Sequence, residues 1–241
     1  MEYGLQLYSV RDGMAKDFEG TLKAVSEMGY KFVEFAGFFG KSAEEVKTIL
    51  DKYNLKISGT HSSLKDLIEN YEETVAFHKA IGNKNYIIPG HPVWSQKELD
   101  FFVENVNALI PKLAKDGITL GFHNHNREFE RNFDGSFPYD QIVYRTDIAL
   151  ELDTYWSFVA MKRSEDILDR YKDRIKFVHI KDGIGMQGKP LGQGGAPIRF
   201  YYEKVRELGI PMVVESETIT PNGLTEAKIC IDFLKALEEN V

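Results

Sequence analysis

Tyr3-Gly4-Leu5-Gln6-Leu7-Tyr8-Ser9-Val10-Arg11-Asp12 is a short strand-like run that passes straight into a polar loop. An open doubly wound α/β sheet carries a glycine-rich, phosphate-cradling turn after its first strand. None follows here, so closure of parallel strands into a barrel is the better reading. Beyond the opening strand at residues 3–7, further apolar or alternating runs cover residues 31–36, 56–61, 84–89, 118–123, 147–153, 175–181 and 211–216. Their starts lie about 30 residues apart, the length that one strand and its crossover helix occupy.

Helical stripes fill the intervals. Phe18, Leu22, Val25 and Met28 share one face, and Gly29 is placed to end that helix. Val46, Ile49, Leu50 and Tyr53 make a second stripe. Leu99, Phe102, Val103, Val106, Leu109 and Ile110 make a third, and residues 224–237 the last. No linker or low-complexity segment breaks the alternation. Residues 1–241 therefore read as one α/β domain, a single (β/α)8 TIM-type barrel.

Composition agrees with that class. The chain has 241 residues, of which 43% are hydrophobic and 28% charged, enough for a sizeable core and a water-facing surface. The net charge of −7 and the absence of a dense Lys/Arg block argue against nucleic acid as a partner. Cys230 is the sole cysteine, so no intrachain disulfide forms, and its place in the stripe Ala227, Cys230, Ile231, Leu234 assigns it to packing. The chain starts directly on a strand-like segment without a signal-like sequence, and no apolar run would span a bilayer. The expected compartment is the cytoplasm, with no membrane partner.

Chemistry gathers where the strands end. The C-terminal rim of such a barrel carries the active site. The strands here finish on Gln6 and Tyr8, Glu34, His61, His91 just beyond strand four, His123 and His125, Asp153, His179 and Lys181, and Glu215 and Glu217. Pairs two residues apart point to the same face. Five of the six histidines fall at these ends; His78 lies in a helical stretch and reads as structural. A lone histidine or carboxylate at a rim is usually just a hydrogen-bonded residue. A barrel, however, brings all eight ends to one mouth, and several buried carboxylates together need a neutralising cation. Asp153, His179 and Glu215 are a mixed oxygen and nitrogen set that suits Mn²⁺, Co²⁺, Mg²⁺ or Zn²⁺.

Several motifs now line up in order. The opening run from Gly4 to Asp12, Phe122-His123-Asn124-His125-Asn126-Arg127-Glu128-Phe129, Leu152-Asp153-Thr154-Tyr155-Trp156, Val178-His179-Ile180-Lys181-Asp182, Gly192-Gln193-Gly194 and Val214-Glu215 span most of the chain. Together they resemble the xylose isomerase-like TIM-barrel superfamily, in its sugar phosphate isomerase/epimerase group. The resemblance implies a divalent metal held by Glu128, Asp153, His179 and Glu215, with His123 or His125 as substitutes for Glu128. Many relatives carry a Glu in the fifth strand itself, where this chain has His123. It implies proton abstraction next to a metal-bound carbonyl through an enediolate, with Glu128 and Glu215 as the two bases. Gln6, Glu34, His61, His123, His125, Trp156 and Lys181 would bind the substrate, a small sugar or sugar derivative. Lys181 would steady an oxyanion, or else pair with Asp182 or Glu151. Phe35, Phe38 and Phe39 are packing residues first and sugar-stacking rings second.

The main rival is a metal-dependent lyase or hydratase acting on keto-sugars or keto-glycosides, which needs the same first step. Cleavage at abasic DNA sites, performed by some superfamily members, is disfavoured by the acidic charge. A non-catalytic sugar-binding barrel is the remaining alternative. Assembly into a homo-oligomer is left open.

Overall fold

A computed structural model describes residues 1–132 and 134–239. Seven parallel strands lie in chain order: β1 (Tyr3–Gln6), β2 (Phe32–Phe35), β3 (Lys56–His61), β4 (Asn85–Ile88), β5 (Thr119–His123), β6 (Ala149–Asp153) and β7 (Ile175–Ile180). A short antiparallel hairpin follows, β8 (Asp182–Ile184) with β9 (Gln187–Lys189), before the last barrel strand, β10 (Met212–Val214). Each strand pairs with the next, and β10 pairs with both β7 and β1, so the barrel closes. All eight barrel strands lie within the windows read from the sequence. The hairpin was not anticipated.

The helices form where their caps and stripes dictate. Phe18–Met28 buries Leu22 and Val25 and stops at Gly29, whose φ of 106° is one that glycine adopts readily. Ala43–Lys52 and Gln96–Lys115 both begin with reciprocal capping boxes, Ser42 with Glu45 and Ser95 with Glu98. Gly223–Glu239 buries Ala227, Cys230, Ile231 and Leu234 against the barrel. Each large apolar side chain so buried contributes about 2 kcal/mol. Burial pushes the Cys230 thiol up to about 12, so it sits there as an apolar packing group. No helix among the described residues is long and apolar enough to cross a membrane.

Strand register places the mouth residues in rows. Gln6 lies beside Glu34, His123 beside Glu151, and Asp153 beside His179. The register slips at two points, between Val33 and Glu34 and between Leu150 and Glu151. Such irregularities re-aim side chains. Both fall immediately before a carboxylate that ends up buried inside the barrel.

Candidate metal centre at the barrel mouth

Two layers of ionisable side chains stack inside the mouth, and His179 belongs to both. The outer layer comprises His123 at the end of β5, Asp153 at the end of β6, His179 on β7 and Glu215 just past β10. All four are buried, and one ligand atom from each lies within 4.8 Å of the others. Asp153 also caps the helix Thr154–Val159: one carboxylate oxygen accepts from the Trp156 backbone N–H at 2.9 Å. Its Oδ2 has no hydrogen-bond partner and lies 3.6 Å from His123 Nε2. Neither ring nitrogen of His123 has a hydrogen-bond partner. His179 Nδ1 lies 3.3 Å from Glu215 Oε2.

Electrostatics here follows from burial and neighbours. Burial pushes the Asp153 carboxyl up to about 7, with Glu215 adding to the rise. Burial also works against charge on Glu215, yet the Lys181 ammonium and His179 hold it well below the usual carboxylate range. Burial, reinforced by His179 and His61, pushes His123 well below its usual range. Buried polar atoms without partners are rare, because each forfeits its hydration. An orphaned carboxylate oxygen and an orphaned neutral imidazole, aimed at one point with a second imidazole and carboxylate, fit a divalent cation. The oxygen and nitrogen donors suit borderline and harder ions.

The inner layer is Gln6, Glu34, His61 and Glu151, with the other nitrogen of His179. His179 Nε2 lies 2.7 Å from Glu34 Oε2 and 3.3 Å from Glu151 Oε2. His61 Nε2 lies 2.6 Å from Glu151 Oε2 and 3.2 Å from Glu34 Oε2. Gln6 donates its amide to Glu34 Oε2 at 2.7 Å. Burial, and then the Glu151 charge, push Glu34 up to about 7. Burial opposes ionisation of Glu151 too, but His179 and His61 bring it below the usual range. His61, His123, Glu151 and His179 form a second set with ligand atoms mutually within 4.8 Å.

The residues expected to act divide accordingly. Asp153, His179 and Glu215 come together with His123 in a group that could hold a metal ion. Glu128 stands outside that group: it sits on the short turn Arg127–Phe129, and its Oε2 accepts the His125 backbone N–H at 2.8 Å. Burial raises its carboxyl. The His125 ring lies 4.9 Å from His123 and 5.8 Å from Trp156, and burial lowers it to about 4. Lys181 is fully buried and pairs with Glu217 at 2.7 Å and Glu215 at 3.5 Å, rather than with Asp182 or Glu151. Its ammonium stands 4.4 Å from the Trp156 ring centre. His91 is instead stacked on Phe101 and Phe102. Phe35 and Phe38 pack against Phe18 and Phe77 as core.

Glu151 is the site residue that sequence reasoning passed over. The two-residue rule that pairs His123 with His125 also pairs Glu151 with Asp153, so the signal was present. The Gly192-Gln193-Gly194 loop has a structural task. The backbone N–H groups of Gly183, Gly192, Gly194 and Ala196 all donate to the Asp182 carboxylate, at 2.8 to 3.1 Å.

Comparison with known proteins agrees with this architecture. A profile of xylose isomerase-like TIM barrels matches residues 22–237. An inosose dehydratase from Lacticaseibacillus casei is 24% identical over 196 residues, covering 70% of this chain and 65% of the relative. The matched stretch thus spans less than two thirds of that relative's length. A sugar phosphate isomerase/epimerase structure from Parabacteroides distasonis superposes with a TM-score of 0.86 at 26% identity, covering 97% of both chains. A probable 3-DHS dehydratase from Bacillus anthracis shares the fold, with a TM-score of 0.79 at 14% identity, over 98% of this chain and 99% of the other. With the profile covering most of its length and the closed eight-stranded barrel agreeing, this chain belongs to the xylose isomerase-like TIM barrel family.

Proposed function

We propose that the mouth is a divalent-metal-dependent active site that removes the proton next to the carbonyl of a sugar or sugar-like ketone, serving isomerisation or epimerisation. The observation that carries this reading is the outer layer, where His123 and Asp153 hold orphaned polar atoms facing His179 and Glu215. His123, Asp153, His179 and Glu215 would hold the cation, with His123, one of the two substitutes offered for Glu128, as the fourth ligand. When bound, it supplies Lewis acidity to the substrate's oxygens.

The protein's own groups do the rest. Glu215, kept ionised by Lys181 and His179, is the base for the proton beside the carbonyl. Lys181, buried and held by Glu217 on its other side, presents a fixed positive charge where negative charge grows on substrate oxygen. Trp156 and His125 form an aromatic wall at the same side of the mouth, suited to the apolar face of a sugar. Glu128 accepts the His125 backbone N–H through Oε2 and keeps a second carboxyl oxygen, so it would be the group that returns a proton.

A second reading is loss of water after the same first step. Dehydration needs one base and no second carboxylate on the opposite face. The likeness to inosose dehydratases favours this reading. The test is incubation in D₂O with Mn²⁺ and a panel of free ketohexoses and keto-cyclitols. Deuterium at the carbon next to the carbonyl, abolished by EDTA and by Glu215→Gln, is the expected result. An unsaturated product instead of a labelled ketose selects dehydration. Incorporation that survives both treatments, or none with any substrate, sinks the proposal.

A further inference from the structure

A metal-binding imidazole must offer a bare nitrogen, so its single proton has to reside on the other one. His179 has both nitrogens buried and both facing acidic groups, and they are not equivalent. Nδ1 faces the outer layer, 3.3 Å from Glu215 Oε2. Nε2 faces the inner layer, where Glu34 Oε2 is the nearer of two acceptors, 2.7 Å against 3.3 Å for Glu151. The 2.7 Å contact at Nε2 is a full hydrogen bond and the 3.3 Å contact at Nδ1 a much weaker one, so the geometry puts the His179 proton on Nε2.

We infer that Glu34 is a positioning residue that fixes the tautomer and ring orientation of His179, so that Nδ1 presents its lone pair to Asp153, His123 and Glu215. This rests on the metal reading above and replaces the substrate-binding role expected for Glu34 from the sequence. Glu34 is fully buried, and its contacts run to Gln6, His61 and the inner nitrogen of His179 rather than to the outer layer. Its Oε2 takes three contacts, from Gln6 Nε2 at 2.7 Å, His179 Nε2 at 2.7 Å and His61 Nε2 at 3.2 Å, while Oε1 has no partner. The register slip between Val33 and Glu34 falls at this residue, and Gly59 across the strand pair leaves the room. A Cβ at position 59 would stand 3.0 Å from Glu34 Oε1 and 2.7 Å from the Ile87 side chain. Carboxylates that take the second proton of a ligating histidine raise its basicity and stop the ring from turning.

The test uses full-length protein and Zn²⁺, a diamagnetic probe. With ¹⁵N-histidine labelling, Zn²⁺-loaded wild type should show the His179 proton on Nε2, protected from exchange, with Nδ1 bearing the metal. Glu34→Leu removes the acceptor and should weaken Zn²⁺ binding roughly ten- to hundredfold. Glu34→Gln should restore most of the affinity, since its amide oxygen can accept from His179 while its NH₂ takes the place of the partnerless Oε1. A merely structural Glu34 would change melting temperature without moving the proton assignment or the Zn²⁺ affinity. Metal on Nε2, or unchanged affinity in folded Glu34→Leu, overturns the Glu34 assignment and leaves the metal reading standing. Failure of wild type to bind Zn²⁺ removes both. If Glu34→Leu does not fold, the wild-type proton assignment decides alone.

Discussion

His179 inside the barrel and His78 outside it are both buried histidines in polar company, yet their surroundings drive them in opposite directions. His78 lies on the helix Tyr71–Ala80, only 3% exposed, with rings of Tyr86, Phe38 and Phe77 around it. Its Nδ1 accepts from the Asn83 amide at 3.1 Å, and Thr60 Oγ1 is 3.3 Å away. No carboxylate compensates for lost hydration, and burial lowers it to about 4. At His179, burial acts in the same sense, but Glu151 and Glu34 outweigh it and raise the ring well above its usual value. Burial alone therefore says little about what a histidine does; the charge of its neighbours separates a core imidazole from one in a reactive cluster.

The strongest way to break this contrast is to neutralise the reactive side. Glu215→Gln should cut turnover of any accepted ketone by about 10³-fold, in the range lost with a general base. Steady-state kinetics with Mn²⁺ would check this, alongside thermal melting to confirm the fold. Asp182→Ala offers the next largest effect, on stability instead of turnover. It frees four backbone donors in the loop after β7, and urea unfolding should show a loss of about 4 kcal/mol, because hydrogen bonds to a charged acceptor contribute more than neutral ones.

His78 supplies a pH signature. Its folded pKa lies below that of the unfolded chain, so the unfolded state takes up the proton first as pH falls. Its share of stability is complete above about 6.5 and declines as pH drops to about 4. The total loss is about 3 kcal/mol at 1.36 kcal/mol per unit, and His78→Gln should flatten that part of the stability–pH curve in urea titrations. The smallest effect belongs to Cys230. Cys230→Ala should cost about 1 kcal/mol of packing, and the native thiol should resist a disulfide reagent until the protein unfolds.

Much of this molecule was legible along the chain. Eight strand windows and the stripes between them rest on local periodicity, which survives into the folded state because each barrel strand packs a helix outside and side chains within. Asp153, His179 and Glu215 were visible as strand-end residues for the same reason. His78 and Cys230, which read as structural from the sequence, are both buried. Glu128 is different: its motif suggests a ligand, and the Arg127–Phe129 turn places it where one carboxylate oxygen accepts the His125 backbone N–H.

By itself, then, the sequence determined the number and order of the βα units, the rim on which ionisable groups converge, and three of the four residues that cluster in the outer layer. These follow from interactions within a few residues, where spacing is information enough. The tertiary structure alone decided the two-layer arrangement, the place of His123 rather than His125 or Glu128 in the outer cluster, and the burial of Glu34 and Glu151 beneath His179. Those depend on register slips in β2 and β6 and on contacts such as Glu34 to His179, made across the barrel between residues 145 apart in sequence. Closure of the barrel is the physical reason, since it brings together strand ends whose local sequences carry no record of one another.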